Sequence, residues 1–436
     1  MEYRTSRIAF NNALGAQGEE CTETLSRAIA DESYVLPESS LHLPFDEHLF
    51  AFSRALAETL VTPKLSHVLH IGIGGSNLGA RALYEVAKGI SPASASRMPT
   101  MLFADTCAPE LIESISEILL REISGKEEII VIIASKSGTT TETIVNASIL
   151  INVLEKKVGP LNERIVCITD EDSSLWNVGK KFGYHCLPVP KIVGGRYSAC
   201  SPMGVFPLLC MGVDAEAFLR GAKSAANNCI TRGVESDAFK FAHDVYLWHE
   251  KGTFIFDFLA FHPELEGMGK WYRQLFAESL GKAITTNGEA TSHHIVPSVS
   301  IGSTDLHSAE QLYMAQPKTA ARILVRANEQ KEEQGLVVSE GALASLAQNI
   351  SNRPPREIME AIYAGVLGAY RAHGVSFGEL ALGDLGPEEL GAMMQFFMCG
   401  AMHIANLFHV NAFDQPDVEA YKKVMKTILS GETNNS

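Results

Sequence analysis

The sequence predicts an α/β protein of two doubly wound parallel-sheet domains with flanking helices, and three observations carry that expectation. From His67 to Val189, short runs that are apolar on both faces alternate with longer helical patterns, the signature of a parallel sheet covered on both sides. A region from about 215 to 410 repeats the style less clearly. The length of 436 residues is enough for about two to three domains, each burying its own core.

Taken in order, residues 1–50 read as an N-terminal arm. Residues 51–214 read as a first domain with candidate strands "HVLHIGI" (67–73), "TMLFA" (100–104), "EIIVIIA" (128–134), "RIVCIT" (164–169) and "YHCLPV" (184–189). Residues 215–410 read as a second domain, with "GTFIFDFLAF" and "AARILVR" as strands between helices. The tail, 411–436, holds one helix from Pro416 to Leu429, with Pro at its first position and Asp417 and Glu419 in its first turns. Neither a low-complexity linker nor a fixed-period repeat is evident.

Composition narrows the function classes. A formal net charge of -15 repels phosphate backbones and anionic lipid, so neither nucleic acid nor membrane is the expected partner. An anionic ligand therefore requires positive charge gathered locally. The 8 cysteines are scattered without C-x-x-C spacing, which suggests neither a zinc ribbon nor a disulfide framework and points to a reduced cytoplasm. The opening "MEYRTSRIAFNNALG" lacks the apolar run of a signal peptide, and the longest fully apolar run, Ile129 to Ala134, is too short to span a bilayer.

The stretch "HIGIGGSNLGA" begins as a dinucleotide loop, yet Asn77 takes the place of the third glycine and Ser76 adds a hydroxyl such a loop does not need. In a doubly wound sheet of order 2-1-3-4-5, strands 1 and 3 are neighbours whose carboxyl ends flank the ligand site. Strand 1 runs into Gly74-Gly75-Ser76-Asn77 and strand 3 into "SKSGTTTET", Ser135 to Thr143, each leading into a helix. Exposed amides, several hydroxyls and the Lys136 ammonium would converge there, which fits a terminal monophosphate. Each loop has a plainer reading, as a tight turn and as helix caps. A dinucleotide site, with Asp105 as the ribose-binding acid, is the rival.

Four further segments contain polar residues that packing alone does not explain. "VGGRYSACSP" places Arg196 after two glycines, so a guanidinium and bare amides can approach a ligand closely. "KWYRQLFAESLGK" sets Glu278 near a helix end among apolar neighbours, "GSTDLHS" presents His307, and "NAFDQPDVEAYKK" carries Gln415 and Lys422. Taken singly, Glu278 and Lys282 have the i, i+4 spacing of a surface ion pair, and Lys422-Lys423 looks like a solvated face.

Taken jointly, "GIGGSNLGARAL", "SKSGTTTET", "GGRYS", "QLFAESLGK", "STDLHS" and "FDQPDVEAYKK" resemble the successive motifs of the glucose-6-phosphate isomerase family in its shorter bacterial form, in order from about residue 67 to 423. The resemblance implies two sugar-isomerase (SIS-type) domains, a homodimer, and metal-free, cofactor-free interconversion of glucose 6-phosphate and fructose 6-phosphate in glycolysis and gluconeogenesis. It implies that Ser76, Ser135, Lys136, Ser137 and Thr140 hold the phosphate, that Gly75 and Gly195 belong to the same substrate- and phosphate-binding set, that Gln274 contacts the sugar and that Gln415 lines the same site. Glu278 would be the base, Arg196 would face the enediolate, and His307, from the partner subunit, and Lys422 would assist ring opening. Two departures from the family pattern stand out: Asp417 stands where glycine is usual, and Ala199, Cys200 and Ser201 form a smaller wall beside Arg196.

Other readings remain at this level. A bifunctional phosphoglucose/phosphomannose isomerase would carry the same groups. A non-enzymatic sugar-phosphate sensor would need the loops but not Glu278, His307 and Lys422 together. A nicotinamide dehydrogenase would bind NAD(P). A metal-dependent isomerase would need clustered ligands, for which His293-His294 is the nearest pair.

Overall fold

Strand character decides the architecture. In the computed structural model, which describes residues 1–5, 12–89, 98–328 and 335–431, every residue of the run Ile129–Ala134 is buried. β-Branched side chains facing both ways leave such a strand nowhere but the centre of a covered sheet.

Along the chain, β1 (Glu2–Thr5) is followed by α1 (Asn12–Ile29) and α2 (Glu47–Leu60), and the first sheet follows. Its strands are β2 (His67–Ile71), β3 (Thr100–Ala104), β4 (Ile129–Ala134), β5 (Ile165–Asp170) and β6 (His185–Val189). They alternate with α3 (Leu78–Lys88), α4 (Pro109–Glu122), α5 (Thr141–Val158) and α6 (Ser174–Phe182). All four pairings are parallel, in the order β3-β2-β4-β5-β6, which is the 2-1-3-4-5 order expected from sequence.

Helices α7 (Pro202–Cys210), α8 (Ala215–Arg232) and α9 (Asp237–Glu250) lead into the second sheet. Its elements are β7 (Ile255–Ala260), α10 (Glu266–Leu280), β8 (Val296–Ile301), α11 (Glu310–Ala315), β9 (Ala320–Ala327), α12 (Pro355–His373) and β10 (Ser376–Leu382). The order is β1-β10-β9-β7-β8, parallel except for β1, which pairs antiparallel with β10. The first residues of the chain thus edge the second sheet.

Helix α13 (Pro387–Leu407) is the one described helix long and apolar enough to cross a bilayer, and it is buried in the protein core beside α8 and α9. A single apolar cluster runs from Val68 and Ile130 of the first sheet to Phe256, Ile323 and Leu380 of the second, so the two sheets share a core. The expected C-terminal helix divides into a 3-10 turn, Pro416–Val418, and α14 (Glu419–Leu429). The last five residues of the 411–436 segment lie outside the described residues.

Candidate active site

The carboxyl ends of neighbouring strands β2 and β4 bring two loops together. After β2, residues Gly74–Ser76 make a 3-10 turn before α3. Asn77, in the place of a third glycine, sends its side-chain amide to Asp105 Oδ2 at 3.2 Å, and Arg81 Nη1 reaches the same oxygen at 2.9 Å. The acid that could have met a ribose is already paired within the protein.

After β4, Ser135 is buried and its hydroxyl meets that of Thr140 at 2.9 Å, closing the loop that opens α5. Gly138 makes the bend at φ +69°, where a Cβ would stand 2.8 Å from Leu175 N and Ser173 Oγ. The Lys136 carbonyl accepts from Asp170 N and Thr169 Oγ1, each at 3.1 Å, so the end of β5 fixes the lysine's backbone. Burial lowers the Lys136 ammonium from its usual range; Asp170 opposes that shift, and Arg196 and Lys191 add to it. Burial pushes the Asp170 carboxyl up to about 6 against the pull of Lys136 and Lys191. Lys136, Asp170, Lys191 and Arg196 therefore share one electrostatic neighbourhood.

A third loop closes on the first. Residues Gly195–Tyr197 form a 3-10 turn pressed so tightly on the glycine loop that a Cβ on Gly75 would sit 2.2 Å from the Gly195 carbonyl carbon. Only glycine admits that approach, and it delivers Arg196 to the floor of the site.

The Arg196 side chain is 0% exposed, and each of its five N–H donors has an acceptor. Nε donates to Ser279 Oγ at 3.0 Å, Nη1 to Glu278 Oε2 at 3.0 Å and to Gln415 Oε1, and Nη2 to the carbonyls of Ala412 and Asp414. One guanidinium thus ties the glycine turn to the last turn of α10 and to the segment before α14.

Glu278 is held from two sides. Gln274, one turn earlier on α10, donates to Oε1 at 2.8 Å while Arg196 takes Oε2, and the carboxylate side chain remains 26% exposed. The i, i+4 ion pair with Lys282 does not form; Lys282 pairs with Asp414 Oδ1 at 2.8 Å. A fixed carboxylate beside a fixed cation, open on one side and close to the glycine loop and the Ser135–Thr140 loop, has the groups needed to remove a proton next to a carbonyl.

Of the residues singled out from sequence, Gly75, Ser76, Ser135, Lys136, Ser137, Thr140, Gly195, Arg196, Gln274, Glu278 and Gln415 lie on these loops, on α10 and in the segment that Arg196 binds. His307, itself exposed, ends the turn Thr304–His307, and Lys422 on α14 bonds Glu419 at 2.6 Å. Neither joins the Arg196–Glu278 hydrogen-bond group within one chain. Sequence reading missed Ser279, whose hydroxyl serves both Arg196 and Tyr197, the Ala412 and Asp414 carbonyls, and Asp170. Only Ser279 carried a signal, its place next to Glu278.

Two parallel sheets, two loops meeting at the carboxyl ends of the first and a carboxylate–guanidinium pair between the sheets are the architecture of the sugar-isomerase fold. A tagatose-6-phosphate ketose/aldose isomerase from Escherichia coli shares that fold, with a TM-score of 0.52 at 14% identity over 94% of this chain and 98% of its own. The phosphoglucose isomerase family pattern matches residues 58–436, and the chain belongs to that family. It is an aldose-ketose isomerase for glucose 6-phosphate and fructose 6-phosphate. Similar relatives include the glucose-6-phosphate isomerase of Rubrobacter xylanophilus, 30% identical over 94% of both chains. Another is the probable glucose-6-phosphate isomerase of Methanococcus maripaludis, 30% identical over 85% of this chain and 80% of its own. A hypothetical protein from Thermus thermophilus superposes with a TM-score of 0.82 at 28% identity, covering 96% of each chain.

Proposed function

We propose that isomerisation proceeds through a cis-enediolate, with Glu278 moving the proton between C1 and C2 and Arg196 stabilising the oxygen that gains charge. The observation that carries this reading is the 3.0 Å contact between a partly exposed carboxylate and a guanidinium fixed by four other hydrogen bonds. A cation held before the reaction begins costs no reorganisation when charge develops. One carboxylate can return the proton to the neighbouring carbon, so the route calls on neither a metal nor a second acid. Ser76, Ser135, Lys136, Ser137 and Thr140 hold the phosphate, Gly75 and Gly195 let backbone amides come close, and Gln274 and Gln415 line the sugar.

In this reading His307 reaches the site from the partner of a homodimer and, with Lys422, assists ring opening. Its support is the exposure of His307 in one chain, together with Tyr421, Val424, Ile428 and Leu429 exposed around Lys422 on α14, a helix with no buried residue. Apolar surface of that kind is ordinarily covered by a partner. Residues 51–214 and 215–410 are taken as the two sugar-isomerase units, with 1–50 as the arm and 411–436 as the closing segment. Eight unpaired cysteines suit a reducing cytoplasm, and the charge of -15 disfavours nucleic acid and anionic membrane.

Glu278→Gln should retain KM while kcat falls by about 10²- to 10⁴-fold. Near-normal turnover would remove Glu278 from the mechanism. Mixing Glu278→Ala with His307→Ala chains should restore part of the activity, and no recovery despite subunit exchange would place both residues in a one-chain site.

A further inference from the structure

The second sheet contains another fully buried guanidinium, one that makes no contact with the Arg196–Glu278 group. Arg322 on β9 is in register with Asp257 on β7, which is in register with Ser298 on β8. The Arg322 and Asp257 side chains are both 0% exposed, with Nη1 and Oδ2 3.3 Å apart. Asp257 Oδ1 accepts from the Ser298 and Ser300 hydroxyls at 2.6 and 3.0 Å. Desolvating two charges in a sheet costs several kcal/mol each, and an apolar pair of similar volume would hold the strands as well. The arrangement therefore calls for a purpose beyond sheet stability.

The rest of the guanidinium faces one short helix. Nη2 donates to Glu310 Oε2 at 3.2 Å, and the carbon between the nitrogens lies 4.1 Å from the Tyr313 ring centroid, with Tyr370 of α12 at 6.0 Å on another side. Glu310 and Tyr313 stand at i and i+3 on α11, so they share a face. Six residues are too few to keep a helix in place by their own hydrogen bonds, and Tyr313 is the buried residue of α11. Arg322 grips both side chains on that face.

Helix α11 begins three residues after His307. Within the turn Thr304–His307, Asp305 Oδ2 accepts from Ile301 N before the turn at 2.7 Å, and its Oδ1 accepts from Ser308 Oγ just after His307 at 2.8 Å. The exit side of the turn is held by Glu310 and Tyr313 on Arg322. The His307 ring stands exposed between the two anchors.

We infer that Arg322, acting through Glu310 and Tyr313, is the positioning residue that sets where His307 is presented. This rests on the reading that His307 serves a partner's site. A buried arginine suits the task because its rigid, planar guanidinium lies over the Tyr313 ring while it ion-pairs with Asp257 and donates to Glu310, which a flexible lysine or an apolar contact does not.

Hybrid dimers separate positioning from folding. Arg322→Met should lower kcat by about 10-fold or more, since a displacement near 1 Å can cost about 10²-fold. Mixed with Glu278→Ala chains, it should recover activity toward about one quarter of wild type, because one site per heterodimer combines an intact Glu278 with a well-placed His307. Mixed with His307→Ala chains, it should recover nothing. Rescue by both partners, or by neither, would overturn the assignment.

The control mixture of Glu278→Ala with His307→Ala reads the shared site alone, so its failure is distinguishable. In that event a double-mutant cycle within one chain decides: Arg322→Met should cost little further in a His307→Ala background, and additive losses would overturn the inference. Glu310→Gln, which leaves the Asp257–Arg322 pair intact, repeats each test if Arg322→Met fails to fold.

Discussion

Two arginines, Arg196 and Arg322, are equally buried and differently used. Arg196 sits in a glycine-flanked turn with one carboxylate and four neutral acceptors, so the pair is neutral and the neighbouring Lys136 and Lys191 leave the site positive. Arg322 sits in a strand between Asp257 and Glu310, a group with one excess negative charge and no reason to attract a phosphate. A buried guanidinium marks a substrate site when its surroundings leave net positive charge facing an opening, and a scaffold when carboxylates outnumber it. In a chain of charge -15, that local balance decides where a sugar phosphate can settle.

The largest effect that would sharpen the contrast comes from Arg196→Lys. Losing the fork strands the Ala412 and Asp414 carbonyls and loosens the charge aimed at the enediolate, so kcat should fall by about 10²- to 10³-fold. A loss under tenfold would reduce Arg196 to a structural tie. Lys136→Met should act on binding instead: KM for fructose 6-phosphate should rise by about 10- to 100-fold, with kcat little changed, on the scale of one charge-assisted hydrogen bond. Inhibition by inorganic phosphate should weaken in parallel. Arg322→Met should leave that phosphate inhibition constant unaltered, and a shift in it would break the comparison.

A smaller, pH-dependent effect attaches to Asp170. Because burial raises its carboxyl to about 6, the group is neutral below that pH and places a negative charge beside Lys136 above it. Asp170→Asn should therefore lower KM a few-fold at pH 7.5 and leave it unchanged at pH 5, measured as the ratio to wild type so that titration of the substrate cancels. Equal ratios at both pH values would remove Asp170 from the charge balance. Smallest of all is Asp417→Gly. Asp417 is exposed in the turn before α14, where solvent screens it, and KM should change by less than about twofold.

The same contrast explains what the sequence made legible. Runs such as Ile129–Ala134 announce a central strand because apolar, β-branched side chains face both ways, and the first sheet was readable to its strand order. The second sheet hid β8, "VPSVSI", and β10, "SFGELAL", because Ser298, Ser300, Gly378 and Glu379 break the apolar pattern. Those polar residues include the serines that bond Asp257 Oδ1, a long-range pairing no local window can see. Strand β1 is four residues long and gains its partner from β10, more than 370 residues away. At the site, the glycine loops and Glu278 stood out by residue type. The five-fold embrace of Arg196 did not, since two of its acceptors are backbone carbonyls that any residue would supply.

The central claim is proton transfer by Glu278 beside the fixed Arg196. The most direct measurement is NMR of fructose 6-phosphate incubated with the purified protein and EDTA in D2O. Glucose 6-phosphate carrying deuterium at C2 is the predicted product, formed at the same rate with and without the chelator. Turnover abolished by EDTA, or product formed with no deuterium at C2 at any conversion, would contradict an enediolate route through Glu278.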